Sequence, residues 1–221
     1  MKRRRFLTIS AAMALVPRGL AAEERRWTGQ ALGAEVSIAL FGPAERTVAA
    51  LKDCTALLQE IEAEFSLYDP ASALSQLNRD GILPRPSPNM HFLLGLVGEL
   101  NRMTLGRFDP TVQPLWLALA NGGDVAAARQ SIGWRRVRTS VARIELAPGQ
   151  ALTLNGIVQG FATDLVTGVL EAHGFERALV QVGEMRGLGG PWTVGISDPV
   201  AGLVTTRDLT SRAIATSSPS A

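Results

Sequence analysis

The chain has 221 residues, 46% of them hydrophobic and 19% charged, a globular composition with enough length for one substantial domain or two small ones. A pI of about 9.2 invites a nucleic-acid reading, but Lys2, Arg3, Arg4, Arg5 and Arg18 all precede Ala22, with no acid among them. The remainder holds 17 basic against 20 acidic residues, a formal charge of −3, which argues against a phosphate-backbone binder.

The chain opens with Arg3-Arg4-Arg5 before a short apolar stretch, Phe6 to Val16, and small residues at Gly19, Ala21 and Ala22. That order describes a signal peptide over residues 1–22, too short to anchor comfortably in a bilayer. Arg3-Arg4-Arg5-Phe6-Leu7 resembles the twin-arginine export motif R-R-x-F-L, so the expected location is the periplasm and the expected mature domain is 23–221. No later segment reaches about 18 uninterrupted apolar residues.

Further along, Val36, Ile38 and Leu40 alternate in a strand over Ala34–Leu40 that ends at Gly42-Pro43. A long helix follows over Ala44–Phe65, with Val48, Leu51, Cys54, Leu58, Ile61 and Phe65 on one stripe. Cys54, the sole cysteine, permits no internal disulfide and reads as a packed thiol on that stripe. Tyr68-Asp69-Pro70 breaks the helix, and Ser72 caps a short turn. Ser87-Pro88 starts a second helix running to about Leu105 and stopped by Gly106. Asn121-Gly122-Gly123-Asp124 is loop. Leu152–Leu154 is a strand candidate, and Asn155 is the N-cap of a helix that carries Val158, Phe161, Leu165 and Val169 to Gly174. Ala178–Val182 and the alternating Trp192, Val194 and Ile196 are strands, and Ala213–Ser217 begins another. The strand–helix–strand order suggests a crossover unit in a mixed α/β (α+β) fold.

Single motifs carry little chemistry. Gly183 to Gly190 is Gly-rich but matches neither a dinucleotide fingerprint nor a P-loop, so it reads as a loop. No serine has a convincing histidine partner. Glu62 and Glu64 stand two apart on a helix and face different directions, and with only His91 and His173 available a zinc cluster is improbable.

Taken in order, the segments carry more. Leu32-Gly33-Ala34 stands where one family has M-G-T before its first strand. Glu62 to Asn78 follows E-x-x-F-S-x-Y-x-x-x-S-x-L-S-x-L-N, and Gly106 to Trp116 is similar to G-A-F-D-P-T-V-x-P-L-x. Asn155-Gly156-Ile157-Val158-Gln159-Gly160-Phe161 parallels G-G-I-A-K-G-Y, Trp192 to Pro199 parallels W-x-V-G-I-x-D-P, and Ala213 to Ser217 parallels A-I-A-T-S-G. These six segments resemble the FAD:protein FMN transferase family of the thiamine-biosynthesis lipoprotein type. The leader and the Asn155–Gly160 wording look most like its nitrous oxide reductase maturation subgroup.

The resemblance implies a sheet-and-helix flavin-transferase-like fold. It also implies phosphoryl transfer: a threonine hydroxyl of an exported or membrane redox partner attacks the FMN-side phosphorus of FAD, and AMP departs. It places FAD contacts at Leu32, Tyr68, Arg107, Phe108, Asp109, Thr153 and Gln159, and a magnesium contact at the Gly156 carbonyl; it assigns no catalytic residue. Aromatic rings such as Tyr68 and Phe108 suit stacking on a flavin or adenine. The implied partners are FAD and an acceptor flavoprotein, with no nucleic acid and a membrane reached only through the partner. Ala34, Thr153 and Gln159 depart from the family's threonine, aspartate and lysine or glutamate. The family's H-I-x-D-P and A-D-x-x-x-T segments do not follow Ser217, so the expectation is weak magnesium binding and slow or no transfer. The alternative is a non-catalytic flavin-binding maturation factor of the same fold.

Overall fold

The computed structural model describes residues 8–11, 24–198 and 201–216. Arg3–Arg5, the expected leader cleavage sites and Ser217 lie outside these. In chain order the strands and helices begin with β1 (Thr8–Ala11), β2 (Glu24–Ala31), β3 (Ala34–Phe41), α1 (Ala44–Phe65), α2 (Ala73–Asp80), β4 (Ile82–Pro84) and α3 (Pro88–Met103). There follow α4 (Gln113–Asn121), α5 (Val125–Gln130), β5 (Arg138–Thr139), β6 (Arg143–Glu145) and α6 (Val158–Ala172). The last are β7 (Ala178–Val182), β8 (Glu184–Leu188), β9 (Trp192–Asp198), β10 (Gly202–Leu209) and β11 (Ala213–Ile214). Two compact units result: residues up to Gln59 together with those from Gln159 onward, and Glu60–Val158. The fold is mixed α+β, as expected.

In the first unit a five-stranded sheet runs in the order β11-β8-β7-β3-β2, and β9 lies between β1 and β10 in a second sheet. All pairings are antiparallel, which corrects the crossover expectation: Leu152–Leu154 is not a ladder strand, so no parallel partner precedes α6. Alternation explains the core. Ala39, Leu179 and Met185 from one face of the large sheet meet Val194 and Leu209 of the second sheet. On the opposite face Val36, Ile38, Leu40, Val180 and Val182 are buried, and Thr163 of α6 donates its hydroxyl to the Glu184 carbonyl at 3.3 Å. Glu184–Leu188, read from its glycines as loop, is a strand: the hairpin with β7 and the more distant pairing with β11 supply the ladder that local composition does not suggest.

Helix α6 also differs in detail from the expected stripe. The buried row is Val158, Ala162, Val166 and Leu170, with Thr163 and Thr167 beside it, while Leu165 and Val169 are half-buried. The threonines tolerate burial because each hydroxyl donates to the carbonyl four residues back, Gln159 and Thr163, at 2.8 Å. Along α1 the buried row is Ala50, Cys54, Leu58, Ile61 and Phe65, whereas Val48 is 63% exposed; the stripe holds except at its first turns.

The second unit contains α2, α3, α4, α5 and a small sheet ordered β4-β6-β5. Ser87 caps α3 by accepting from the Met90 amide at 3.0 Å, with Pro88 in the first turn. Helix α3 stops at Met103 rather than at Leu105, and Leu105 and Gly106 then adopt left-handed φ of 55° and 79°. None of the helices described is long and apolar enough to cross a membrane.

Candidate functional site

The turn leaving α3 is held from the helix itself. Thr104 Oγ1 donates to the Leu100 carbonyl at 2.7 Å and accepts from the Phe108 amide at 3.0 Å; Asn101 Nδ2 donates to the Phe108 carbonyl at 2.7 Å. Phe108 is thereby positioned half-buried beside an exposed Arg107. Asp109 caps the next turn: one carboxylate oxygen accepts from the Thr111 amide and hydroxyl at 2.9 and 2.6 Å, the other from the Trp134 amide at 3.0 Å. Thr111 Oγ1 in turn accepts from the Gly133 amide at 2.7 Å. Three of a carboxylate's roughly four lone-pair positions are thus spent on the protein, which makes Asp109 first a positioning group.

Leu152 to Gly156 is then brought alongside. The Thr153 amide donates to the Pro110 carbonyl at 2.8 Å. The Asn78 side chain clasps Leu152, donating to its carbonyl at 2.8 Å and accepting from its amide at 2.7 Å, as a strand neighbour would. A Cβ placed on Gly156 would sit 3.6 Å from Phe108 Cε2, an ordinary contact, and Gly156 has no left-handed φ. Neither crowding nor backbone conformation therefore requires glycine there. Asn155 does not cap α6 as expected; the amides of Ile157 and Val158 bond the Leu154 carbonyl at 2.9 and 2.8 Å. The Phe108 turn and the approach to α6 thus come together within the second unit.

The motif between α1 and α2 proves to be a serine network. Ser66 Oγ accepts from the amides of Tyr68 and Asp69, both at 3.2 Å, and the Ser66 carbonyl accepts from the hydroxyls of Ser72 and Ser75 at 2.5 and 3.0 Å. Ser72 also caps α2 through the Ser75 amide at 3.0 Å. Phe65, Leu74 and Leu77 are buried around it, whereas Tyr68 is 72% exposed with its ring available to a ligand. The capping role of Ser72 is legible in the sequence, whereas the work of Ser66, Ser75 and Asn78 is not, because their partners are backbone atoms that no local pattern marks.

Leu32 and Gln159 belong to the first unit. Leu32 and Gly33 form the two-residue turn between β2 and β3, with φ of 53° and 72°, the left-handed pair that a tight hairpin needs; Leu32 is 7% exposed. Gln159 stands in the first turn of α6, its amide lying so close over Gly183 that a Cβ there would collide with it. Next to Gly183, half-buried Glu184 accepts from the Thr216 amide at 3.2 Å. Burial raises the Glu184 carboxyl above its ordinary value, partly opposed by that hydrogen bond.

Among the described residues no three His, Cys, Asp or Glu side chains gather closely enough to hold a metal ion. Exposed Gly156 offers one neutral carbonyl, whereas magnesium takes about six oxygens, commonly with a carboxylate or two. The donors described here do not fit that ion.

The model of the ApbE family matches residues 32–220. A Vibrio cholerae FAD:protein FMN transferase is 28% identical over 164 residues, 65% of this chain and 49% of the relative. The chain therefore spans about half the length of that curated relative. Among solved structures, a mutant of the flavin transferase ApbE from Vibrio cholerae superposes with a TM-score of 0.71 at 24% identity, covering 82% of this chain and 70% of that one. An ApbE protein of Thermotoga maritima gives 0.77 at 21% identity, covering 86% and 69%.

Proposed function

The chain belongs to the ApbE family, and from that premise we propose that it serves FAD-dependent transfer of FMN to a threonine hydroxyl of an exported or membrane-bound redox protein. The observation that carries this reading is the meeting of the Phe108–Asp109 turn with Thr153–Gly156, through the Thr153 amide on the Pro110 carbonyl and Phe108 against Gly156. The Phe108–Asp109 turn and Asn155-Gly156 come from the ordered family motifs, and Thr153 stands where the resemblance places the family's aspartate. In the reaction, the threonine oxygen forms a bond to the FMN-side phosphorus of FAD, the bond from that phosphorus to the bridging oxygen breaks, AMP departs carrying that oxygen, and the hydroxyl proton passes to solvent. Such transfer relies chiefly on positioning and electrostatic stabilisation.

The chain's own residues supply positioning. Phe108 presents an aromatic surface for a flavin or adenine ring, Asp109 holds the turn that carries it, and Gly156 leaves room for a ligand to reach the backbone. Within the second unit exposed Tyr68 and Arg107 complete the proposed FAD contacts; the contacts proposed in the first unit, Leu32 and Gln159, lie in the β2–β3 turn and the first turn of α6. Magnesium would neutralise phosphate charge; the described donors do not fit it, and no step is routed through it. The proposal places the reaction in the periplasm, reached through the twin-arginine-type leader, with an acceptor of the kind that serves nitrous oxide reductase maturation.

A second reading, a flavin-binding maturation factor without transferase activity, is favoured by neutral Thr153 and Gln159 where the family carries charge. One experiment separates the two: the leaderless protein is incubated with FAD, magnesium and an acceptor flavoprotein, and the acceptor is weighed. Transfer adds the mass of one FMN to the acceptor only when the protein is present. FAD binding without that gain selects the second reading, and no FAD affinity overturns both.

A further inference from the structure

Trp134-Arg135-Arg136-Val137-Arg138 puts three arginines within five residues, and in the second unit all three line one cleft of about 550 Å³. Arg136 is anchored, its Nη2 donating to the carbonyls of Gln130 and Ile132 at 2.7 and 3.2 Å. Glu145 is the one carboxylate among the lining residues, and it is engaged: its Oε1 lies 3.1 Å from Nε of Arg143. Arg138 stands opposite Glu145 in the β5–β6 ladder, yet among the described residues neither Arg135 nor Arg138 forms an ion pair with a carboxylate. Three arginines therefore line one concavity with a single carboxylate that is already held by a fourth arginine.

Like charges held together repel, and an anion entering the cleft relieves that repulsion. The planar guanidinium fork matches phosphate oxygens in pairs. The rest of the lining, Leu146, Ala147 and Pro148, is apolar and suits a ring carried next to a phosphate. The volume lies in the range of small-molecule sites, about 300–1,000 Å³; this concavity favours a compact ligand over an extended peptide. We infer that this cleft binds a nucleotide-sized phosphomonoester through Arg135 and Arg138. None of its lining residues belongs to the proposed FAD contacts, so this inference stands apart from the transferase reading.

The test titrates the full chain with adenosine 5′-phosphate, inorganic phosphate and a poly-glutamate peptide in calorimetry at low salt, with FAD in parallel. Saturable binding of adenosine 5′-phosphate is expected, weakened about tenfold or more in R135A/R138A through loss of charge-assisted hydrogen bonds, while FAD binding is retained. E145Q, which removes the only carboxylate of the lining, is expected to tighten the nucleotide. Both changes are checked for an unaltered thermal transition. The inference is overturned if adenosine 5′-phosphate does not bind, if R135A/R138A binds it as well as the parent, or if FAD affinity falls in parallel. A poly-glutamate peptide that binds more tightly than the nucleotide overturns the ligand class as well, and turns the cleft into a protein-docking surface.

Discussion

Cys54 has no exposed surface, and its thiol is pushed up to about 12, first by burial and then by the charge of neighbouring Asp53. Because the thiolate is the reactive form, the native protein is expected to resist iodoacetamide at pH 8 and to be alkylated fully in urea; alkylation of the native protein at a free-thiol rate would contradict this burial. The packed thiol was legible because Cys54 falls on an apolar helical row. Asp109 was only half legible. Its place before Pro110 marks a turn, but its bond to the Trp134 amide 25 residues away has no local signal. Tyr68, proposed as a stacking ring, is held only through its backbone amide on Ser66 Oγ among the bonds described, which suits a side chain left free to meet a ligand.

Between elements, the Asn78 clasp on Leu152 does the work of a missing strand neighbour. Its amide supplies both a donor and an acceptor, so neither alanine nor aspartate replaces it. N78A is expected to lower stability by about 1–3 kcal/mol for each backbone group left unsatisfied, read from the urea midpoint at unchanged slope; N78D is expected to resemble N78A. A parent-like midpoint in either variant would show that the clasp is not needed. Elements whose cause is local were readable in advance: α1 from its spacing, α2 from Ser72, α3 from Ser87-Pro88, β3 from its alternation and β7 from its apolar run. β8 was not, since glycines lower strand propensity and only its partners β7 and β11 draw it into a ladder. β10 was equally hidden, because most of its residues are exposed and leave no alternation to read.

Among the described residues, two half-buried carboxyls, one in each unit, are raised above their ordinary value. Glu64 is raised above its ordinary value of 4.5, first by burial, with hydrogen bonds from Ser87 and the Met90 amide opposing; Glu184 is raised from 4.5 by burial, opposed by the Thr216 amide. With the folded value above the unfolded one, the native state holds more protons between them. This contribution is fully present below pH 4.5 and is lost as pH rises through the folded values. E64Q and E184Q are therefore each expected to flatten the fall in melting temperature as pH rises from 4.5 toward neutrality, and a parent-like slope in both variants would remove these carboxyls as its source. By itself the sequence determined the family and most local elements, because helical spacing, strand alternation, caps and ordered motifs are properties of neighbouring residues. Only the tertiary structure decided that Phe108 meets Gly156, that Asn78 takes the place of a ladder at Leu152, and that Asp109 accepts from the Trp134 amide. Those contacts join segments far apart along the chain, up to 74 residues in the case of Asn78 and Leu152, and a segment's local pattern does not specify the distant backbone it will meet.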